Sequence, residues 1–184
     1  MKKAFMVKSV VLAMVMAGGI SSAMAASSAT TVSGGTVNFV GSVVDAACSV
    51  SSDSVDQTVT LDQVRTANLA QAGQAAGQQQ KFNIKLEDCD TTVSQNAAVI
   101  FNGESDSTTT GALANTAGAG AATNVALQLY GPDGNILKLG DTSSSTVLVD
   151  GENSLPFSVD YVATAGAATA GNVAATATFS MVYS

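Results

Sequence analysis

The sequence predicts an all-β sandwich, and two observations carry this prediction. Thr, Ser, Val, Ala and Gly dominate the 184 residues, whereas aromatic residues make up 5% and Pro occurs twice. Small and β-branched side chains in this proportion suit sheets better than helices. The second observation is a series of short segments in which apolar and polar residues alternate, with turn residues between them. Such spacing is typical of an antiparallel sandwich, and the length suffices for one domain with a sizeable core.

The first 25 residues have the composition of a secretory signal peptide. Three lysines in the first eight residues precede an apolar run from Val10 to Ile20, and the small-residue exit Ala23-Met24-Ala25 follows. A membrane anchor is the alternative, but a run of about 11 residues is well short of the ~20 needed to span a bilayer. We expect cleavage before Ala26 and export of the remaining chain.

Residues 31–41, TVSGGTVNFVG, predict a β-strand just inside the expected new N-terminus. Alternate side chains place Ser33, Gly35, Val37 and Phe39 on one face. We expect this face to be buried, because Val37 and Phe39 carry the larger apolar area and Gly35 leaves room for a close backbone. A lone strand with paired glycines is not stable by itself, so it must pair with another segment.

Eight further strands are predicted before the C-terminal segment. They cover Ser42–Val50, Val55–Leu61, Lys81–Cys89, Ala97–Asn102, Asn124–Tyr130, Ile136–Leu139, Thr146–Val149 and Leu155–Val162. Between them, Val64–Gln71 has a short helical character, Gln71–Gln80 reads as a flexible loop of Gly, Ala and Gln, and Glu104–Thr123 reads as a long polar surface loop.

The last segment is the most regular in the chain. From Gly171 onward, apolar side chains occupy every second position, and Ala, Thr and Ser occupy most of the others. The alternating residues are Val173, Ala175, Ala177, Phe179, Met181 and Tyr183. This pattern predicts a strand of about 12 residues whose outer edge has no sequential partner.

Cys48 and Cys89, in an exported chain, predict one disulfide. Closing a loop of about 42 residues would stabilise the fold by roughly 4 kcal/mol on the chain-entropy account. A metal-binding or reactive pair is the weaker alternative, because the chain has no His and the spacing fits no zinc pattern.

The sequence carries no catalytic constellation. The missing His excludes His-based triads and His-ligated metal enzymes, and no Gly-rich loop follows a strand and opens a helix to hold a nucleotide. The acidic run Glu87–Asp90 ends a strand, where solvated acids are common, and lacks EF-hand spacing. Beyond residue 25, four basic residues face 14 acids, a net charge of −10, which makes nucleic acid an improbable partner. We expect no enzyme activity, cofactor, metal or small-molecule substrate.

Several segments together carry a family resemblance: TTVSGGTVNFVGSVVDAACSV, SVDQTVTLDQVRTANLAQ, FNIKLEDCD, ATNVALQLY and ATFSMVYS. They resemble the major structural subunit (pilin) of type 1 fimbriae, in the chaperone-usher pilus family. The most specific features are the Cys48/Cys89 pair, the penultimate Tyr183, and Gly171 at the fourteenth position from the C-terminus. The resemblance covers nearly the whole chain after residue 25, and Glu104–Gly120 aligns least.

The resemblance implies an incomplete immunoglobulin-like β-sandwich that lacks its last strand and is completed by a donor strand from a neighbouring subunit or a chaperone. It implies three parts: a signal peptide (1–25), an N-terminal extension that donates its strand (26–41) and the pilin domain (42–184). The donor residues would be Ser33, Gly35, Val37 and Phe39. The acceptor groove, which also binds the chaperone, would lie beside the strand that carries Gly171, Phe179, Met181 and Tyr183.

The function that the resemblance implies is that of a structural subunit, which polymerises by donor-strand exchange into the rod of a surface fimbria used for cell adhesion. Its partners would be identical subunits in a helical filament, a periplasmic chaperone, an outer-membrane usher, other pilins and a tip adhesin. Export would pass through the periplasm to the cell surface. A minor or adaptor pilin is one alternative. A carbohydrate-binding fimbrial adhesin is another, but it would need a longer chain with a lectin domain.

Overall fold

The structure is a computed structural model that describes residues 31–41, 43 and 45–184. The predicted signal peptide, 1–25, lies outside the described residues. The chain divides into two units, Met1–Gly41 and Ser42–Ser184. No helix in the described part of the chain is long and apolar enough to cross a membrane.

The described residues of the second unit form nine strands, one turn of α-helix and one 3-10 helix. The strands are β1 Ser49–Val50, β2 Gln80–Cys89, β3 Asn96–Gly103, β4 Leu113–Ala114, β5 Val125–Tyr130, β6 Ile136–Leu137, β7 Thr146–Val147, β8 Gly151–Ala163 and β9 Ala177–Tyr183. Helix α1 covers Ser52–Val55, and the 3-10 helix covers Thr66–Leu69. The predicted all-β class is therefore confirmed.

The strands form two antiparallel sheets. The first has the order β1-β2-β8-β5-β4, and β6 also pairs with β5. The second has the order β7-β3-β9. Sequence alternation builds the core between the sheets, because every second residue of a strand points to the same face. Ile84 and Leu86 of β2, Val99 of β3 and Leu155 of β8 are fully buried in this way.

Four phenylalanines join the two sheets. Phe82 of β2 and Phe157 of β8 stack with ring centroids 5.8 Å apart. Phe101 of β3 meets both edge-on, at 6.1 and 5.1 Å, and Phe179 of β9 lies 6.2 Å from Phe101. Each such aromatic pair adds about 0.5–1.5 kcal/mol beyond the burial of its area. The cluster therefore fixes the spacing of the sheets.

The predicted disulfide joins Cys48 and Cys89, which are both buried. It ties the chain just before β1 to the last residue of β2, and Asp90 N–H donates to the Ala47 carbonyl at 2.9 Å beside it. The bridge thereby holds the start of the domain against the first sheet.

The first part of the domain differs from the prediction. The strand expected over Ser42–Val50 covers Ser49–Val50 only. The strand expected over Val55–Leu61 is absent among the described residues, because the chain leaves the sheet in helix α1. Ser51 N–H donates to the Lys85 carbonyl at 3.0 Å, and Lys85 N–H donates to Ser54 Oγ at 2.9 Å. A serine side chain thus replaces the next backbone partner of β2, as short polar side chains do at turns.

We expect replacement of both Cys48 and Cys89 by Ser to lower the free energy of unfolding by about 2–4 kcal/mol, because the open chain gains conformational entropy. The measurement is urea unfolding of the purified variant. The oxidised and reduced unmodified chain provides the control, since reduction should reproduce the loss. An unchanged unfolding midpoint in the variant would show that the bridge is dispensable.

Candidate functional site

Strand β9 is an edge strand. It pairs with β3 along one side, from Ala97↔Tyr183 to Gly103↔Ala177. On its other side it has no strand partner among the described residues. In an antiparallel pair each residue presents its N–H and C=O to one side only, so alternate residues of β9 keep free backbone groups. This edge is a template for another strand.

The segment Gln57–Val64 faces this open edge across the domain and is also unpaired. In the described part of the chain its backbone makes no backbone–backbone hydrogen bond. Its side chains nevertheless alternate: Val59 and Leu61 are half-buried against the core, and the residues on either side of each are exposed. The segment is therefore held by its inward side chains rather than by a sheet.

Between these two walls lies an apolar groove. Its main cavity has a volume of about 720 Å³ and is lined by both walls and by core residues of the sheets. The core residues are Phe82, Ile84, Phe101, Leu113, Leu127, Leu129 and Val159. A smaller end cavity of about 260 Å³ follows along the same walls and is lined by Val64, Leu69, Tyr161, Gly171 and Val173, among others. We call the two cavities together the groove.

The structure places the four residues expected beside the groove in two settings. Phe179 lines the main cavity, and Gly171 lines the end cavity. Met181 and Tyr183 line neither cavity, but both pack half-buried against the core beyond the main cavity. Along the whole segment from Val173 to Tyr183, odd-numbered residues are half-buried and even-numbered residues are exposed.

Two tyrosine hydroxyls bond the N-terminal part of the domain to the sheets. Tyr161 Oη donates to the Asp62 carbonyl at 3.2 Å, and Tyr183 Oη donates to the Cys48 carbonyl at 3.3 Å. Burial raises the pKa of both phenols, and for Tyr161 the nearby charges of Asp62 and Asp160 raise it further. Both hydroxyls therefore keep their protons and remain donors at neutral pH.

The groove carries almost no charge. Residues 171–184 contain no Asp, Glu, Lys or Arg, and Asp56 is the only one of these residue types among the residues that line the main cavity. Among the described residues, no group of three or more acidic residues or cysteines is placed to hold a metal ion. The chemistry of the groove suits an uncharged, apolar segment in an extended conformation.

The extension Thr31–Gly41 has no regular secondary structure, and all of its side chains are exposed. Val37 is 72% exposed and Phe39 is 91% exposed. Ser33 and Gly35 are exposed as well, so the predicted strand is not formed within the single chain. Val43, which the sequence analysis assigned to the next strand, is fully exposed and continues the odd-numbered apolar positions.

Some residues of the groove could not be predicted from the sequence. Leu113 of β4 is buried and lines the main cavity, although the surrounding stretch reads as a polar loop. The available signal was that Leu113 is the only large apolar residue between Glu104 and Gly120. Tyr161 holds the wall Gln57–Val64 through its hydrogen bond to Asp62, which lies 99 residues away in the chain. No local pattern reveals such a pair.

Residues 37–184 match the fimbrial protein family. The type-1 fimbrial protein A chain of Escherichia coli K12 is 49% identical over 181 residues, which cover 96% of this chain and 98% of that protein. The fimbrial subunit type 1 of Klebsiella pneumoniae is 50% identical, with the same coverage.

Solved structures agree with this match. One is a subunit from the structure of a chaperone-usher pilus that addresses rod uncoiling. It has a TM-score of 0.69 and 28% identity to this chain, and the match covers 85% of this chain and all of that one. The P pilus rod subunit PapA has a TM-score of 0.63 and 25% identity, with 76% and 100% coverage. Sequence and fold together show that the chain belongs to the fimbrial protein family and is a structural pilin subunit of a fimbria.

Proposed function

We propose that the groove is an acceptor site for an extended strand, and that Thr31–Gly41 of the next subunit in the fimbria is that strand. The observation that carries the proposal is the unpaired edge of β9, which faces an equally unpaired wall across an apolar groove. An added strand would supply partners for both rows of free backbone groups at once. Binding of this strand would then complete the sandwich of one subunit and link that subunit to the next.

The length of the extension fits the groove. Thr31–Gly41 and Val173–Tyr183 each contain 11 residues. At about 3.3 Å per residue, each spans roughly 36 Å when extended. One extension is therefore long enough to pair along the whole wall.

The chemistry also fits. Neither Thr31–Gly41 nor residues 171–184 contain a charged residue, so no ion is desolvated when they meet. Val37 and Phe39 would place apolar side chains into the main cavity, next to the four clustered phenylalanines. Burial of such a side chain contributes about 1.5–3 kcal/mol relative to exposure.

Donor and acceptor are different surfaces, so the contact is heterologous and need not close on itself. Each subunit would fill one groove and offer one groove, which produces a filament: the rod of a surface fimbria used in adhesion. A subunit with an empty groove exposes an apolar edge, a known hazard for aggregation. A periplasmic chaperone would cover this edge by lending its own strand, and an outer-membrane usher would exchange that strand for the extension of the next subunit.

We expect Phe39→Asp to make the extension a poor donor, because its carboxylate would enter an apolar cavity. The measurement uses synthetic peptides of residues 26–45 and follows release of the chaperone from a chaperone-bound subunit. Release should be at least tenfold slower than with the unmodified peptide, which corresponds to about 1.4 kcal/mol or more.

Val40→Asp is the matched control, since it adds the same charge one position along, on the opposite face of the strand. It should slow release much less than Phe39→Asp. If the Val40 peptide is the inactive one, the even face is buried and the proposed register is wrong. If both peptides work like the unmodified one, this stretch is not the donor.

On the acceptor side, we expect Phe179→Asp to prevent the capture of any strand, because the charge would lie in the apolar main cavity beside Phe101. Met181→Asp and Tyr183→Asp should act in the same direction. The variants should be degraded in the periplasm, and little soluble one-to-one chaperone complex should be recovered. Ser180→Asp, on the exposed face between Phe179 and Met181, is the control and should give a normal yield. A normal yield from Phe179→Asp would overturn the assignment of the groove.

A further inference from the structure

The segment Gly171–Thr176 continues the groove wall beyond the second sheet. Strand β3 ends at Gly103, which pairs with Ala177, so β3 offers no partner to the residues before Ala177. Nevertheless, Val173 and Ala175 are half-buried and line the groove as Phe179 does. Another part of the chain must therefore hold this half of the wall straight.

Residues Asn115–Ala122, which we call the bracing loop, provide this support. Thr116 N–H donates to the Ala174 carbonyl at 2.8 Å. Asn172 N–H donates to the Gly120 carbonyl at 2.9 Å, and Ala122 N–H donates to the Asn172 carbonyl at 2.9 Å. The loop thus runs along the side of the segment that faces away from the groove.

Gly171 permits the close approach of this loop. A Cβ atom at Gly171 would lie 2.6 Å from the carbonyl carbon of Ala121 and 2.7 Å from the carbonyl oxygen of Gly120. Both neighbours are backbone atoms, so no side chain could be admitted without moving the loop. The sequence analysis assigned Gly171 to the groove; the structure shows that its missing side chain also serves the opposite side of the wall.

The side chain of Asn115 joins the loop and the wall with four hydrogen bonds. Its Nδ2 donates to the carbonyls of Ala122 and Asn172, at 2.9 and 3.0 Å. Its Oδ1 accepts from Ala174 N–H at 3.0 Å and from Ala117 N–H at 3.2 Å. Two donors face carbonyls and one acceptor faces two N–H groups, so an amide satisfies every partner here and a carboxylate does not.

We infer that Asn115 is a positioning residue of the acceptor groove, which holds Asn172–Ala174 so that an added strand can pair with the other side of the wall. The inference rests on the proposed function of the groove. With Asn172 and Ala174 bonded to the loop, Val173 and Ala175 turn their backbone groups toward the groove. Among the described residues, those groups have no hydrogen-bond partner. Asn115 thus holds Asn172–Ala174 in place by hydrogen bonds, as pairing with β3 holds Ala177–Tyr183.

The test is amide hydrogen exchange of the mature subunit, read by mass spectrometry with and without an excess of the peptide 26–45. Phe39→Asp in the subunit itself suppresses donation by its own extension. In this background, the added peptide should slow exchange at least tenfold in both 171–176 and 177–183. Asn115→Asp removes two donors and turns an oxygen toward two carbonyls. It should leave the slowing in 177–183 intact and reduce it to less than threefold in 171–176.

Asn102→Asp is the matched control, because it makes the same change at an exposed position whose side chain has no hydrogen bond to any other residue that the structure describes. It should behave like the unmodified residue. Slowing in neither segment of the background protein would refute the proposed function. Slowing in both segments of Asn115→Asp would refute the role of Asn115 while the proposed function stands.

Unfolding of the variant would be recognised from fast exchange in the core strand Gly151–Ala163. In that case the same measurement is made on Asn115→Ser, which keeps one donor and adds no charge. Its exchange with and without the peptide is compared in 171–176 and 177–183. If Asn115→Ser also loses protection in Gly151–Ala163, Asn115 supports the whole fold, and the inference of a local positioning role is overturned.

Discussion

The unpaired edge of β9 is the constraint on which the rest of the structure depends. Backbone N–H and C=O groups require hydrogen-bond partners, and the apolar side chains that line the groove offer none. The backbone of the opposite wall, Gln57–Val64, also has no backbone partner among the described residues. Two walls without backbone partners, on either side of one groove, support the proposed acceptor site more strongly than either wall would alone. On the proposed function, the groove is a gap in the sandwich that a strand fills, and not a pocket for a small ligand.

An incomplete sandwich must keep its gap open without the strand that would normally set its width. The first sheet does so from below, because the long pairing of β2 with β8 and the phenylalanine cluster give the groove a rigid floor. The Tyr161 hydroxyl holds the wall Gln57–Val64, and the disulfide and the Tyr183 hydroxyl hold the chain that leads to this wall. Strand β3 and the bracing loop hold the wall Val173–Tyr183. Rigid surroundings lower the ordering cost that an incoming strand would otherwise have to offset.

The sequence predicted the long strands in which apolar residues alternate. Strand β2 was found from Phe82, Ile84 and Leu86, and β8 from Phe157, Val159 and Tyr161. Strand β3 was predicted as well, although three consecutive residues of it are buried. Helix α1 was missed, because serine hydrogen bonds to Lys85 outweigh the alternation around Val55. The strand predicted from Gly171 begins as β9 only at Ala177. The support that replaces it comes from Asn115, 57 to 59 residues distant, and no local pattern reports such a partner.

The extension and the groove are formed by different residues of one chain, so substitutions in the two have different effects. Side chains such as Phe179 belong both to the groove and to the core, so a change there disturbs folding and assembly together. Val37 and Phe39 are exposed in the single chain, so a change there removes no packing from it. On the proposed function, the extension could vary its affinity for the next subunit without a loss of subunit stability. The strength of the filament and the stability of its building block would then be set by different residues.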